Sequence, residues 1–212
     1  MVNNPLPDLL RPDSLEDLVG QNHLLSENSL INKYISTGNL PSLIFWGPPG
    51  SGKTSLANIL VKSIDAKLIL VPAVLTGIKE IRQAIEHATV IRNESKKVIV
   101  FVDEVHRFNK VQQDAFLPHI ESGLFTFFGA TTENPGFEIN SALLSRTQVI
   151  VLNPLDDTAM NTLINKGLKS VDLTTDTLTS KAREMLIRNA DGDGRKLLNM
   201  IEGISSNLSK KN

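Results

Sequence analysis

Five short runs of nearly continuous apolar residues mark the chain: Leu43 to Trp46, Leu68 to Val71, Val98 to Val102, Phe125 to Phe128, and Val149 to Leu152. A strand with one face in water alternates apolar and polar residues. Unbroken Val, Ile, Leu and Phe instead predict strands buried on both faces, as in a parallel sheet. Helical patterns separate the runs. In 78–92, Ile78, Ile81, Ala84, Ile85, Ala88 and Ile91 recur with a 3.6-residue period that closes at Arg92-Asn93. Alternating strand and helix predicts a right-handed α/β sandwich around five parallel strands. After Asn153-Pro154 the strand-like runs stop, and helices are predicted over about 155–169, 178–190 and 194–208. The expected organisation is an N-terminal segment (1–22), an α/β core (23–153) and a small all-helical lid (154–212). In the N-terminal segment, Asp13 or Ser14 is placed to cap a short helix through Leu18. Its Leu6, Leu9, Leu10, Leu15, Leu18 and Val19 predict that it packs against something.

Composition narrows the class. The chain has 212 residues, 41% of them hydrophobic, which suits one large domain or a domain with a small appendage. A net charge of -1 gives no global attraction to nucleic acid, so any such contact needs a local basic patch. With no cysteine there are no disulfides or thiolate metal sites. His23, His87, His106 and His119 lack ligand spacing. The start, Met1-Val2-Asn3-Asn4-Pro5, lacks the features of a secretory signal, and no apolar run nears the ~20 residues of a membrane span. A cytoplasmic protein without membrane contact is expected.

The candidate chemistry lies at the ends of the predicted strands. Residues 47–54, Gly-Pro-Pro-Gly-Ser-Gly-Lys-Thr, form a complete GxxxxGK[ST] phosphate loop between a strand and a helix. Gly50, Ser51, Gly52 and Ser55 would turn backbone N–H groups around phosphate oxygens at a helix N-terminus, with Pro48 and Pro49, which have no N–H, beside the ligand at the start of the loop. Lys53 would reach the β/γ-phosphates, and the Thr54 hydroxyl would ligate Mg²⁺. The third strand ends at Asp103-Glu104, about 50 residues after Lys53 and on what is expected to be the adjacent strand. Asp103 can hold Mg²⁺ with Thr54. Glu104, expected on the opposite side of the pleat, can orient a water toward the γ-phosphate. The fourth strand ends Gly129-Ala130-Thr131-Thr132, where a threonine could bond the γ-phosphate or the water. Arg107 and Lys110 could touch a DNA backbone or belong to a solvated loop, and Trp46 is expected in the core.

The order of these motifs, with Leu-Leu-Ser-Arg at 143–146 and Gly-Asp-Gly-Arg at 192–195, resembles AAA+ ATPases of the clamp-loader clade. Within that clade the chain is most similar to the replication-associated recombination proteins, the RarA/MgsA and Werner-interacting-protein family. The resemblance rests on Leu10-Arg11-Pro12, Leu15 to Gln21, Phe101 to Lys110, Gln112 to His119, and Gly129 to Pro135. It implies a P-loop AAA+ three-layer sandwich followed by a helical lid, with ATP and Mg²⁺ as cofactors. By the same resemblance Arg11, Pro12, Val19, Gly20 and Gln21 form an adenine cradle, Thr131 is the first sensor, and Arg195 is a second sensor on the lid. Arg146 becomes an arginine finger for a neighbouring subunit. From the residues alone, Arg146 could equally cap a helix and Arg195 could form a salt bridge on the lid. Two departures leave these groups intact: Thr147 in place of a common Cys, and Gly194 in place of a common Ala, the latter costing about 1 kcal/mol of helix propensity.

The resemblance implies ATP hydrolysis acting on DNA at replication forks, with forked or single-stranded DNA and replication proteins as partners. A clamp-loader-like subunit, a Holliday-junction-type motor, or a nucleotide-switched binding module with little hydrolysis are the alternatives. The family continues into a helical C-terminal region associated with tetramers. The chain ending at Asn212 is therefore expected to be a truncated form or a fragment, with ring or tetramer assembly belonging to the longer protein.

Overall fold

The apolar runs pair as one all-parallel, five-stranded sheet: β1 (Leu43–Trp46), β2 (Lys67–Pro72), β3 (Val98–Asp103), β4 (Thr126–Thr131) and β5 (Gln148–Val151), in the order β2-β3-β4-β1-β5. This is a computed structural model describing residues 4–26, 29–94 and 96–209. The chain's first three residues and its last three, which belong to the expected segments 1–22 and 154–212, lie outside the described residues.

Before β1 come α1 (Leu6–Leu9), α2 (Asn22–Leu25) and α3 (Leu30–Thr37). The crossover helices α4 (Lys53–Ser63) and α5 (Ile78–Asn93) follow β1 and β2. Between β3 and β5 lie the short α6 (Lys110–Asp114), α7 (Leu117–Glu121), α8 (Pro135–Glu138) and α9 (Ser141–Leu144). The chain then runs through α10 (Asp157–Ser170), α11 (Ser180–Ala190) and α12 (Gly194–Ser209).

Residue alternation explains the three layers. In β3, Val98, Val100 and Val102 enter one core with Ile81, Ile85, Phe116 and Phe127, while Ile99 and Phe101 enter the other with Leu56, Leu60, Phe45 and Phe128. Both faces are covered, which is why the run reads as continuously apolar. β4 runs three residues past the end of the apolar run at Phe128, through Thr131, within the strand end expected at Gly129 to Thr132. Gly129 breaks the apolar run but belongs to the strand, because a Cβ there would stand 2.8 Å from Ile44 Cδ1. Sheet packing, not propensity, sets this residue.

The strand order revises the expectation that the Asp103-Glu104 strand adjoins the phosphate-loop strand. β4 lies between β3 and β1. The two motifs still open at the same carboxyl edge of the sheet, where open α/β folds bind ligands.

A third core belongs to the C-terminal helices, joining Met160, Ile164 and Leu168 of α10 with Leu197, Leu198 and Ile201 of α12. Leu6 of α1 is part of it, and the Leu6 N–H donates to Glu202 Oε1 at 3.2 Å. Leu18 belongs instead to the sheet-side core. The N-terminal segment thus spans from lid to sheet. The short helix expected from Asp13 or Ser14 is absent: the Ser14 hydroxyl bonds Asp17, and 13–17 form bends and turns. Proline at N1/N2 instead helps start the helix at Leu6.

Candidate nucleotide site

The phosphate loop leaves β1 at Gly47, whose N–H donates to Thr131 O of β4 at 3.2 Å, and it ends where α4 begins at Lys53. Gly50 and Gly52 have φ of 67° and 103°, which L side chains rarely adopt, so these two positions let the loop turn its amides inward. The Lys53 ammonium, 8% exposed, donates to Gly47 O at 2.8 Å and Pro48 O at 3.0 Å. Burial pushes its pKa below the ordinary lysine range, while the carboxylates of Glu104 and Asp103 pull it back up. Ser51 is also buried, and its Oγ has no partner among the described residues. A buried cation held only by carbonyls and an orphaned hydroxyl suit a polyanionic ligand that would satisfy both.

These residues border a cavity of about 240 Å³ between the sheet edge, the N-terminal segment and the lid. Pro49 to Ser55 of the loop, Asp103 and Glu104 beyond β3, and Asp193 and Arg195 of the lid all line it. Arg11, Pro12 and Val19 line it as expected, joined by Pro7, Leu10 and Leu18 from the same segment and by Leu155, Leu163 and Leu198 from the lid side. The mainly apolar lining of this end suits a planar base, and the loop end suits phosphates. Thr54 and Asp103 both border the cavity, as a pair of Mg²⁺ ligands must, since Mg²⁺ with nucleotide takes one or two protein ligands.

Several expected residues take other places. Gly20 and Gln21 stand behind the cavity. The Gln21 amide donates to Ser51 O at 3.2 Å and Asn153 O at 2.7 Å and accepts from Asn153 N at 2.9 Å, clasping the loop to the start of the lid. Pro48 touches the site only through its carbonyl on Lys53. Glu104 does not sit on the opposite side of a pleat: β3 ends at Asp103 and Glu104 has φ 57°, so a left-handed turn sets its direction. Thr131, expected as the first sensor, is fully buried. Its hydroxyl meets His106 Nδ1 at 2.9 Å and accepts from Glu133 N at 3.0 Å, and Thr132, the next residue, lines the cavity. Trp46, expected in the core, is only partly buried.

Arg146 stands away from its own chain's cavity. Its Nε bonds Glu121 at 2.7 Å and its Nη1 caps α9 at Ala142 O at 2.7 Å. Asp193 was legible only as part of Gly-Asp-Gly-Arg, and Leu163, Lys166 and Leu198 only as helix residues. Nothing in their local pattern signals a ligand, because the tertiary packing of the lid brings them there.

A parallel sheet in this order, with the phosphate loop after β1, paired carboxylates after β3 and a helical lid over the cavity, defines a P-loop protein of the AAA+ type. Residues 10–126 match the P-loop domain of the Holliday junction DNA helicase RuvB, and the chain belongs to that family. It is 47% identical over 205 residues to Replication-associated recombination protein A of Haemophilus influenzae, covering 93% of this chain and 45% of that protein. ATPase WRNIP1 of Dictyostelium discoideum is 41% identical over 201 residues, covering 93% of this chain and 23% of that one. Among solved structures, the Thermotoga maritima RuvB Holliday junction branch migration motor superposes with a TM-score of 0.75 at 26% identity, over 91% of this chain and 64% of that one. The chain spans about half the length of the bacterial relatives it matches. Among the described residues no helix is long and apolar enough to cross a membrane.

Proposed function

We propose that this chain binds MgATP in the cavity between sheet edge and lid and hydrolyses it, as the motor part of a cytoplasmic protein acting on DNA at replication forks. The observation that carries the reading is the convergence of Lys53, Asp103, Glu104 and Arg195 on one cavity lined by the phosphate loop. Bound MgATP supplies the transferable phosphoryl group and the cation that neutralises it.

The chain's own groups then have distinct tasks. Backbone amides of 50–54 and the Lys53 ammonium hold the phosphates, and Thr54 with Asp103 holds the cation. Glu104 orients the attacking water, the positioning that phosphoryl transfer depends on most. Thr132, which lines the cavity where Thr131 does not, takes the first-sensor role toward the γ-phosphate in this reading. Arg195 brings a positive charge from the lid, so closure of the lid is sensitive to phosphate. Arg146, directed away from its own cavity, serves a neighbouring subunit. There it stabilises charge on the transferred group, a contribution on the order of 10³-fold or more.

The names of the relatives support replication-linked recombination and repair as the setting, with forked or single-stranded DNA and replication proteins as partners. A second reading, a nucleotide-switched binding module with little hydrolysis, is favoured only by the placement of Arg146. The separating experiment measures phosphate release with and without forked or single-stranded DNA, comparing wild type with Glu104→Gln at matched ATP occupancy. The hydrolytic reading expects DNA-stimulated turnover that falls about 10²-fold or more in the variant. Equal, negligible rates for both in an associated protein support the binding module.

A further inference from the structure

Outside the phosphate cradle, one polar chain runs from the buried end of β4 to Glu104. It begins at the Glu133 N–H, which donates to Thr131 Oγ1 at 3.0 Å. Thr131 Oγ1 lies 2.9 Å from His106 Nδ1, and His106 Nε2 lies 3.3 Å from Glu104 Oε2. The His106 side chain is 13% exposed and Thr131 is fully buried, so the contact between them is shielded from water, while Glu104, 31% exposed, carries the chain out to the cavity. Arg107 Nε, more exposed and 3.9 Å from the same Glu104 oxygen, is a weaker second neighbour.

The donors and acceptors have one consistent direction for a neutral ring. An ionised Glu104 only accepts, so Nε2 facing it must carry the proton. Nδ1 is then an acceptor and takes the Thr131 hydroxyl proton, while the hydroxyl oxygen takes the Glu133 N–H. In the opposite arrangement the hydroxyl proton turns to Glu133 O at 3.3 Å, and a bare Nε2 lone pair faces a carboxylate. That juxtaposition is repulsive.

We propose that His106 is the positioning residue for Glu104, and that Thr131 acts through it by donating to Nδ1 and so holding the ring in the orientation that presents Nε2–H to the carboxylate. One Glu104 oxygen is thereby tied, and the other is left to accept from the attacking water. Because Glu104 has a left-handed backbone outside the strand, no pleat fixes its side chain, and the imidazole supplies the missing constraint. This also explains why β4 ends in a buried threonine that does not reach the cavity. The inference rests on the reading of Glu104 as the water-directing carboxylate.

The test has two independent arms. In the full chain without nucleotide, in alkaline buffer where an imidazole is neutral, the His106 ring nitrogens are assigned by ¹⁵N NMR. The expected result is the Nε2–H tautomer in wild type and in Thr131→Val, the latter with its Nδ1 resonance moved by loss of the hydroxyl donor, and a population of Nδ1–H in Glu104→Ala. A wild-type ring on Nδ1–H, or ring shifts unmoved by Thr131→Val, overturns the relay. The second arm compares ATP turnover of His106→Gln and His106→Leu, since a glutamine amide can both donate to Glu104 and accept from Thr131. His106→Leu should lose roughly tenfold in kcat, the worth of a hydrogen bond to a charged group, with KM for ATP unchanged, and His106→Gln should recover most of it. Equal losses in both variants, or kcat and KM moving together, reduce His106 to a packing role and overturn the proposal. Absent turnover in wild type counts against hydrolysis by this chain, and the tautomer result then decides the relay alone.

Discussion

At the scale of single residues, the site is held in a condition that a ligand would relieve. Lys53 keeps a buried ammonium on two carbonyls, with its pKa lowered by burial. Because the folded pKa lies below the unfolded one, the unfolded chain binds more protons between the two values. Lys53 therefore penalises the folded state in full below its folded pKa, and the penalty fades as pH rises from there toward the ordinary value of about 10.4. Lys53→Met should consequently leave the nucleotide-free protein about 1 kcal/mol more stable at neutral pH, since the freed carbonyls can bond water in the open cavity. The advantage should shrink as pH rises, and the thermal shift given by MgATP should vanish. Denaturation midpoints measured across that pH range, with and without nucleotide, check each part. A variant less stable than wild type throughout contradicts the account. That the phosphate loop and Asp103 meet at one cavity was legible from motif spacing, whereas Arg195 was reached only through the family resemblance, because nothing in its local pattern separates a ligand contact from a salt bridge. Thr131 and Thr132 were not separable, since a run of two threonines does not reveal where the strand stops and which side chain turns into the core. His106 showed nothing in sequence, because its two partners come from a tight turn and a neighbouring strand.

At the scale of elements, the loop, the N-terminal segment and the lid are joined by a few specific contacts. The Gly194 N–H, at the start of α12, donates to Gly50 O at 3.3 Å, and Asp193 Oδ1 would lie 1.9 Å from a Cβ on Gly50. Gly50→Ala should thus cost about 1–3 kcal/mol through its left-handed backbone and push the start of α12 off the loop. Urea denaturation together with amide exchange at Gly194 measures both, and unchanged protection there counts against the contact. Gln21, 5% exposed with three hydrogen bonds across the loop and Asn153, should lower stability by about 2–3 kcal/mol when replaced by Leu, as read by the denaturation midpoint. An effect within a few tenths would reduce the clasp to an accessory. The strands were legible from continuous apolar runs, and the lid helices from their period. The first helix was misplaced because Asp13 and Ser14 are good caps locally, whereas Leu6 is drawn into the lid core with Met160, Leu197 and Ile201. Strand order was not legible either, as local pattern cannot tell that the fourth strand inserts between the first and third.

At the scale of the whole molecule, the proposed function needs one chain to supply most of a hydrolytic site and a neighbour to supply the arginine. The cavity gathers the loop, the carboxylates and Arg195, while Arg146 points away, bonded to Glu121 and to the end of its own short helix. The sheet side of the site rests on two cores, and the lid has a separate core around Met160 and Ile201, which on the proposed function is the side that answers to phosphate through Arg195. On the proposed function each subunit would have two surfaces, one that binds nucleotide and one that completes a neighbour's site. Equimolar mixing of Arg146→Ala and Lys53→Ala chains tests this most directly. Each variant alone lacks one half, but in the mixture an intact cavity can meet an intact arginine. Under conditions where wild type releases phosphate and the chains associate, each variant should be inactive alone and the mixture should recover about a quarter of the wild-type rate, the share of productive pairs in random association. A mixture as silent as its components, beside an active wild type, would contradict the account.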